Sequence, residues 1–285
     1  MKIVKNAILS TAVLASLLLG DDFGLEAKVE QFARNMLHPF EVRNENFKVK
    51  SVEVSGTTTV PGADWFTGYV VKYTTEDKDK NGIIKVSTRS DILFLSSEGI
   101  VATGLFTLDG RSLTSMAIPK IDPSIFYTEK NLILGNGKSE NKILIFSDPW
   151  CPYCRTAYAE IEKKITQEKK DYAVYLYHFP IGKFPSSKTV SAIMAQAHRK
   201  GIDITSSIYN AGVLKVKSSL VSSNDVDFIA SEIEKISGYS ADKEELYKID
   251  LPEIDKEIEA GLSLAVNSTP KIFINGVLGR TKDIK

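Results

Sequence analysis

Cys151 and Cys154 are the only cysteines in the 285-residue chain, and they stand three positions apart in Cys151-Pro152-Tyr153-Cys154. Thiols at that spacing can close on each other as a disulfide and reopen, so the chemistry they point to is thiol–disulfide exchange. The attacking species is a thiolate. A strand that delivers the pair to a helix N-terminus gives the first sulfur an exposed position beside the helix's partial positive charge, which favours that form. Cys151 is then the predicted nucleophile. Cys154, one turn further on and deeper, resolves a mixed disulfide by attacking the bond between Cys151 and a client sulfur.

Two other uses of the pair are weaker. A zinc site needs about four ligands, yet there is no third cysteine, and His38, His178 and His198 form no close ligand pair. A disulfide closing so short a loop stabilises little, because the entropic gain grows with loop length. The sequence also carries no phosphate-binding glycine loop and no serine triad motif. Neither a metal nor a cofactor is expected.

The elements that must hold the pair are readable on both sides of it. The apolar run Ile143-Leu144-Ile145-Phe146 belongs to a strand from Lys142, the cysteines open a helix reaching about Gln167, and a second strand spans Ala173 to Phe179. Strand, helix, strand is a parallel unit. From Ser186 to Val266 the pattern is helical, with core stripes at Val190, Ile193, Met194 and Ala197, at Phe228, Ile229, Ile233 and Ile236, and at Ile254, Ile258 and Leu262. Asn224 reads as an N-cap. Lys271 to Ile274, Asn275-Gly276 and Val277-Leu278 read as a closing hairpin.

The first half reads differently. Leu25, Val29, Phe32, Ala33 and Met36 have helical spacing, and His38-Pro39 is expected to end that helix. Strand signals follow at Phe47 to Val54 and Tyr69 to Thr75, the latter joined through Asn81-Gly82 to Ile83 to Val86. A further pair, Ile92 to Leu95 and Ile100 to Leu108, flanks Ser97-Glu98-Gly99. Helix and meander together make an α+β module. Leu113 to Asn141, punctuated by Pro119, Pro123, Gly135 and Gly137, contains the expected linker.

Composition sets the class. With 43% hydrophobic residues and 36 basic against 36 acidic groups, the chain can bury a sizeable core in two domains and has no global pull toward nucleic acid or anionic membrane. Lys2 and Lys5 precede an uncharged run, Ala7 to Gly20, which reads as an export signal. It is shorter than the ~20 apolar residues of a membrane span. The signal is either cleaved, with Gly20 or Ala15 as the last residue removed, or kept as an anchor; no cysteine follows it to carry a lipid. Export to an oxidising space fits a chain that uses cysteine nowhere else.

The redox motif, Phe146-Ser147-Asp148-Pro149-Trp150 ahead of it, and Ser268-Thr269-Pro270 before a strand resemble a thioredoxin-fold domain. With Asp91-Ile92-Leu93-Phe94-Leu95-Ser96-Ser97-Glu98-Gly99 added, the chain is similar to the periplasmic disulfide isomerases of the DsbC/DsbG family, and Pro152-Tyr153 to the DsbG branch. The resemblance implies an α+β cystatin-like dimerisation domain at 21–110, a linker at 111–130 and an α/β thioredoxin-like catalytic domain with a helical insertion at 131–285, after a signal at 1–20. It also implies a cis Thr269–Pro270 bond, with Thr269 beside the cysteines offering backbone groups to an extended client. Three departures stand out. There is no second cysteine pair, Ile145 occupies the place where thioredoxins keep a buried acid, and the chain stops at Lys285 before that fold's last helix, as a truncated sequence would.

The expected site is therefore Cys151 and Cys154 as catalytic residues, with Thr269, Pro270, Pro152, Tyr153 and Trp150 as client-binding residues, the two aromatics forming an apolar rim. His178 reads as structural. The resulting expectation is a periplasmic homodimeric thiol:disulfide isomerase or reductase acting on misoxidised secreted proteins. The resemblance adds a DsbD-like membrane reductant as partner, and no nucleic acid is involved. A DsbA-like oxidase that donates disulfides and a dimeric holdase chaperone for unfolded proteins are the competing readings.

Overall fold

The computed structural model describes residues 24–110, 112–212 and 216–285. The segment expected as an export signal, 1–20, lies outside the described residues. Among the described residues no helix is long and apolar enough to cross a membrane. The chain divides into two compact units. One runs up to Lys120 and includes Leu262–Asn267; the other comprises Ile121–Gly261 and Ser268–Lys285.

In the first unit, helix α1 (Leu25–Arg43) buries Val29, Phe32, Ala33 and Leu37. These pack on an antiparallel sheet of β1 (Phe47–Thr59), β2 (Phe66–Lys78), β3 (Ile84–Ser96) and β4 (Val101–Ala102), in that order. The helix does not stop at His38-Pro39. A proline removes only one helical donor, and α1 is tied to β1 on both sides of it: the Val54 N–H donates to Glu30 (2.8 Å) and the Val49 N–H to Glu41 (2.7 Å).

The strands differ from the sequence reading in two places. The segments expected at Ile83 to Val86 and Ile92 to Leu95 are one strand, because the polar residues between them keep their pairing with β2. The Ile100 to Leu108 strand shrinks to Val101–Ala102, since the Leu105 N–H is taken by the Thr114 hydroxyl (3.0 Å) and leaves the ladder. The Asn81-Gly82 turn sits in a five-residue loop, where Asp79 accepts from the N–H groups of Asn81 and Ile83.

The second unit begins inside the stretch expected as a linker. Helix α2 (Pro123–Phe126) places Phe126 edge-on to Phe146 and against Tyr177. A five-stranded sheet follows, ordered β5 (Leu132–Gly135), β7 (Ala173–His178), β6 (Lys142–Ser147), β8 (Lys271–Ile274), β9 (Val277–Gly279). β6 and β7 are parallel and the other pairs antiparallel. Helix α3 (Pro152–Thr166) connects β6 to β7. Strand β6 is buried from Ile143 through Ser147, as expected of a central strand covered on both faces. Ile143 and Ile145 join a core with Cys154, Tyr158 and Ile161 of α3, while Phe146 packs with Phe179 and Phe273.

The helical stretch consists of α4 (Ser187–Arg199), α5 (Thr205–Tyr209), α6 (Ser218–Val221), α7 (Val226–Ser237), α8 (Lys243–Glu245), a π-helical turn at Leu246–Asp250 and α9 (Leu251–Ser263). The cap of α7 is Asp225 rather than Asn224. Its carboxylate accepts from the N–H groups of Asp227 and Phe228, a contact only the residue directly before the first turn can make.

Candidate active site

Because β6 is fixed on both faces, the residues leaving its end are aimed at one point. Ser147 and Asp148 are buried, the chain turns at Pro149, and Cys151 becomes the N-cap of α3 in extended conformation (φ −68°, ψ 120°), with Pro152 in the first turn. Proline suits that turn because the N–H it lacks would have had no helical acceptor. Cys154 follows on the inner face of α3. Both cysteines are free thiols.

The two sulfurs have different surroundings. Cys154 is 0% exposed, and its Sγ accepts the Asp148 N–H at 3.5 Å. Burial pushes its thiol up to about 12, with the neighbouring Cys151 adding to the rise, while the Asp148 N–H, Thr269 and Ser147 pull the other way. A thiol so placed is a poor first attacker in neutral solution. Cys151 is the one at the helix end, but it is not exposed as expected. It keeps 5% exposure, with its thiol pointing to the Thr269 carbonyl at 3.6 Å. The Thr269–Pro270 bond is cis. The Thr269 hydroxyl is buried and has no oxygen or nitrogen partner.

The two aromatics separate. Tyr153, between the cysteines in sequence, is 78% exposed. Trp150 does not contribute to a rim. It is 4% exposed, its Nε1–H donates to Ser186 Oγ at 2.8 Å, and the Arg155 guanidinium lies 5.9 Å from its ring centre. An indole must hydrogen-bond when buried, and the start of α4 supplies the acceptor.

The residues that sequence reasoning missed are those behind the sulfurs. Asp148 Oδ1 accepts from the Trp150 N–H (2.9 Å) and Ser187 Oγ (2.7 Å), and Oδ2 from the Ile181 N–H (3.2 Å). Tyr209 OH donates to Ser147 Oγ at 2.7 Å and its ring stacks on Tyr158. Asp148 entered the sequence reading only as part of a resemblance. An acid directly after an apolar strand and three residues before a cysteine was the available signal.

His178 and His38 each lie against a carboxylate. His178 Nδ1 pairs with Glu257 at 2.8 Å, its N–H donates to the same carboxylate at 2.6 Å, and Asn131 donates to the other oxygen. His38 lies beside Glu41 in α1. No cluster among the described residues is suited to a metal ion.

Residues 127–283, more than half of the chain, match the family model described as thioredoxin. The chain belongs to the thioredoxin family. Its second unit is the thioredoxin-like part, a mixed α/β fold whose Cys-X-X-Cys segment joins the central strand to α3. The chain is similar to a thioredoxin-like oxidoreductase from Silicibacter pomeroyi DSS-3, at 21% identity and TM-score 0.42, covering 57% of this chain and 92% of the other. It is similar to Proteus mirabilis ScsC in a compact conformation, at 19% identity and TM-score 0.41, covering 54% and 68%. A periplasmic thioredoxin-like protein from Salmonella enterica serovar Typhimurium is a third, at 18% identity and TM-score 0.40, covering 56% and 88%. No curated protein sequence matches the chain.

Proposed function

We propose that this thioredoxin-family protein is an exported thiol:disulfide isomerase or reductase of the DsbC/DsbG type, acting on misoxidised secreted proteins. The observation that carries the reading is the asymmetry of the pair: Cys151 at the helix N-cap beside exposed Tyr153, and Cys154 buried with its thiol pushed up to about 12. The Cys151 thiolate attacks a client disulfide, forming a Cys151–client bond and releasing the other client sulfur as a thiolate. Either a different client thiolate attacks the Cys151–client bond, forming a new client disulfide and returning the Cys151 thiolate, or Cys154 gives up its proton and attacks Cys151, closing the internal disulfide and releasing a reduced client. The second route leaves the protein oxidised, so a dithiol reductant, DsbD-like at the membrane, must return two electrons. Thr269 and Pro270 edge the site on the client side.

The unit before Lys120 holds two subunits together in this reading, so that paired sites keep a client within reach over repeated exchanges. The experiment compares the mature protein with a chain starting at Ile121, using light scattering and the refolding of a scrambled multi-disulfide protein. The expected result is two subunits and reshuffling for the first, one subunit and simple thiol reaction without reshuffling for the second. A monomeric mature protein that only oxidises reduced clients would replace this reading with the oxidase, for which a Cys-Pro-X-Cys pair is also suited.

A further inference from the structure

We propose that Asp148 is a positioning residue for the redox pair, and that Ser187 at the start of α4 sets the reactivity of Cys151 through it. The inference rests on reading Cys151 and Cys154 as the redox pair and adds the group that controls them. Asp148 touches neither client nor transferring bond, yet its backbone meets both cysteines: its N–H points at Cys154 Sγ (3.5 Å) and its carbonyl accepts the Cys151 N–H (3.1 Å). Its carboxylate is what fixes that backbone. It is fully buried and gathers donors from three segments, Trp150 before the helix, Ile181 after β7, and Ser187 in α4.

Burial pushes the Asp148 carboxyl up, and the donors from Ser187, Trp150 and Ile181 pull it the other way. That carboxyl group is thus anchored on the one residue whose backbone meets both cysteines. A negative charge there opposes thiolate formation. The other ionisable groups facing the pair are Tyr209 from α5, kept protonated by burial and by its closeness to Cys154, and Arg155 from α3, whose guanidinium lies over Trp150. α4 reaches the motif twice, through Ser187 to Asp148 and through Ser186 to Trp150, and Ser186 Oγ donates in turn to the Val221 carbonyl (3.2 Å).

The test is the pH profile of Cys151 alkylation by iodoacetamide in the reduced full-length protein, with the product at Cys151 quantified by mass spectrometry. Asp148→Asn keeps the shape and removes the charge. Its midpoint should move down by about one pH unit, a roughly tenfold faster reaction on the acid limb, with the alkaline plateau unchanged. Loosened packing would instead raise the rate at every pH. Ser187→Ala should shift the midpoint in the same direction by less, and should add nothing in the Asp148→Asn background, because Ser187 acts only through the carboxylate. Should Asp148→Asn fail to fold, Ser187→Ala alone carries the first comparison. A folded Asp148→Asn with an unmoved midpoint, or a Ser187→Ala shift that persists without the carboxylate, would overturn the proposal. The readout needs no client, so a protein that fails to reshuffle disulfides would sink the isomerase reading and leave this comparison standing.

Discussion

Cys154 links the folded structure to its redox state in a way that stability can report. A cysteine thiol, which ordinarily titrates near 9.0, keeps its proton up to about 12 at this position because burial penalises the thiolate. Between those values the unfolded chain loses a proton that the native state retains. Stability is therefore intact below about 9 and is lost as the pH climbs toward 12. The oxidised protein has no thiol at this position and lacks that slope. We expect the reduced form to lose roughly 2–4 kcal/mol more than the oxidised form across this window, as read by urea unfolding at stepped pH. Tyr73 and Tyr158, also pushed up by burial, weaken both forms alike. Parallel curves for the two redox forms would contradict the buried placement of Cys154.

At the scale of elements, the long apolar runs were legible and the short supports were not. β6, α3 and β7 were readable because Ile143 to Phe146, the helix opened by the cysteines and Ala173 to His178 each bury a continuous face. β5 escaped notice because an edge strand of four residues that ends in glycine has too few positions to show a period. That glycine is nonetheless demanding. Gly135 has φ +82°, and a Cβ there would stand 1.9 Å from the Tyr172 carbonyl oxygen, a backbone atom that cannot swing aside. Gly135→Ala should cost at least ~2 kcal/mol and lower the melting temperature. A melting curve coincident with wild type would show that β5 is not anchored at this point. The same limit hid Ser186 and Ser187: their role is set by what they meet across the fold, which spacing along the chain does not reveal.

At the scale of the whole molecule, the cysteine pair and its place at the start of a helix were legible because cysteine is used nowhere else, whereas the burial of Trp150 and of Cys151 was not. Both depend on a helix some 36 residues downstream and on a strand near the other end of the chain. If Cys151 attacks and Cys154 resolves, a protein without the resolver stays bonded to its client. Cys154→Ala is incubated with a scrambled multi-disulfide protein, quenched with acid and resolved without reductant. We expect client complexes joined through Cys151 that disappear on reduction and do not form with Cys151→Ala. Complexes formed equally by Cys151→Ala, or by neither variant, would contradict it.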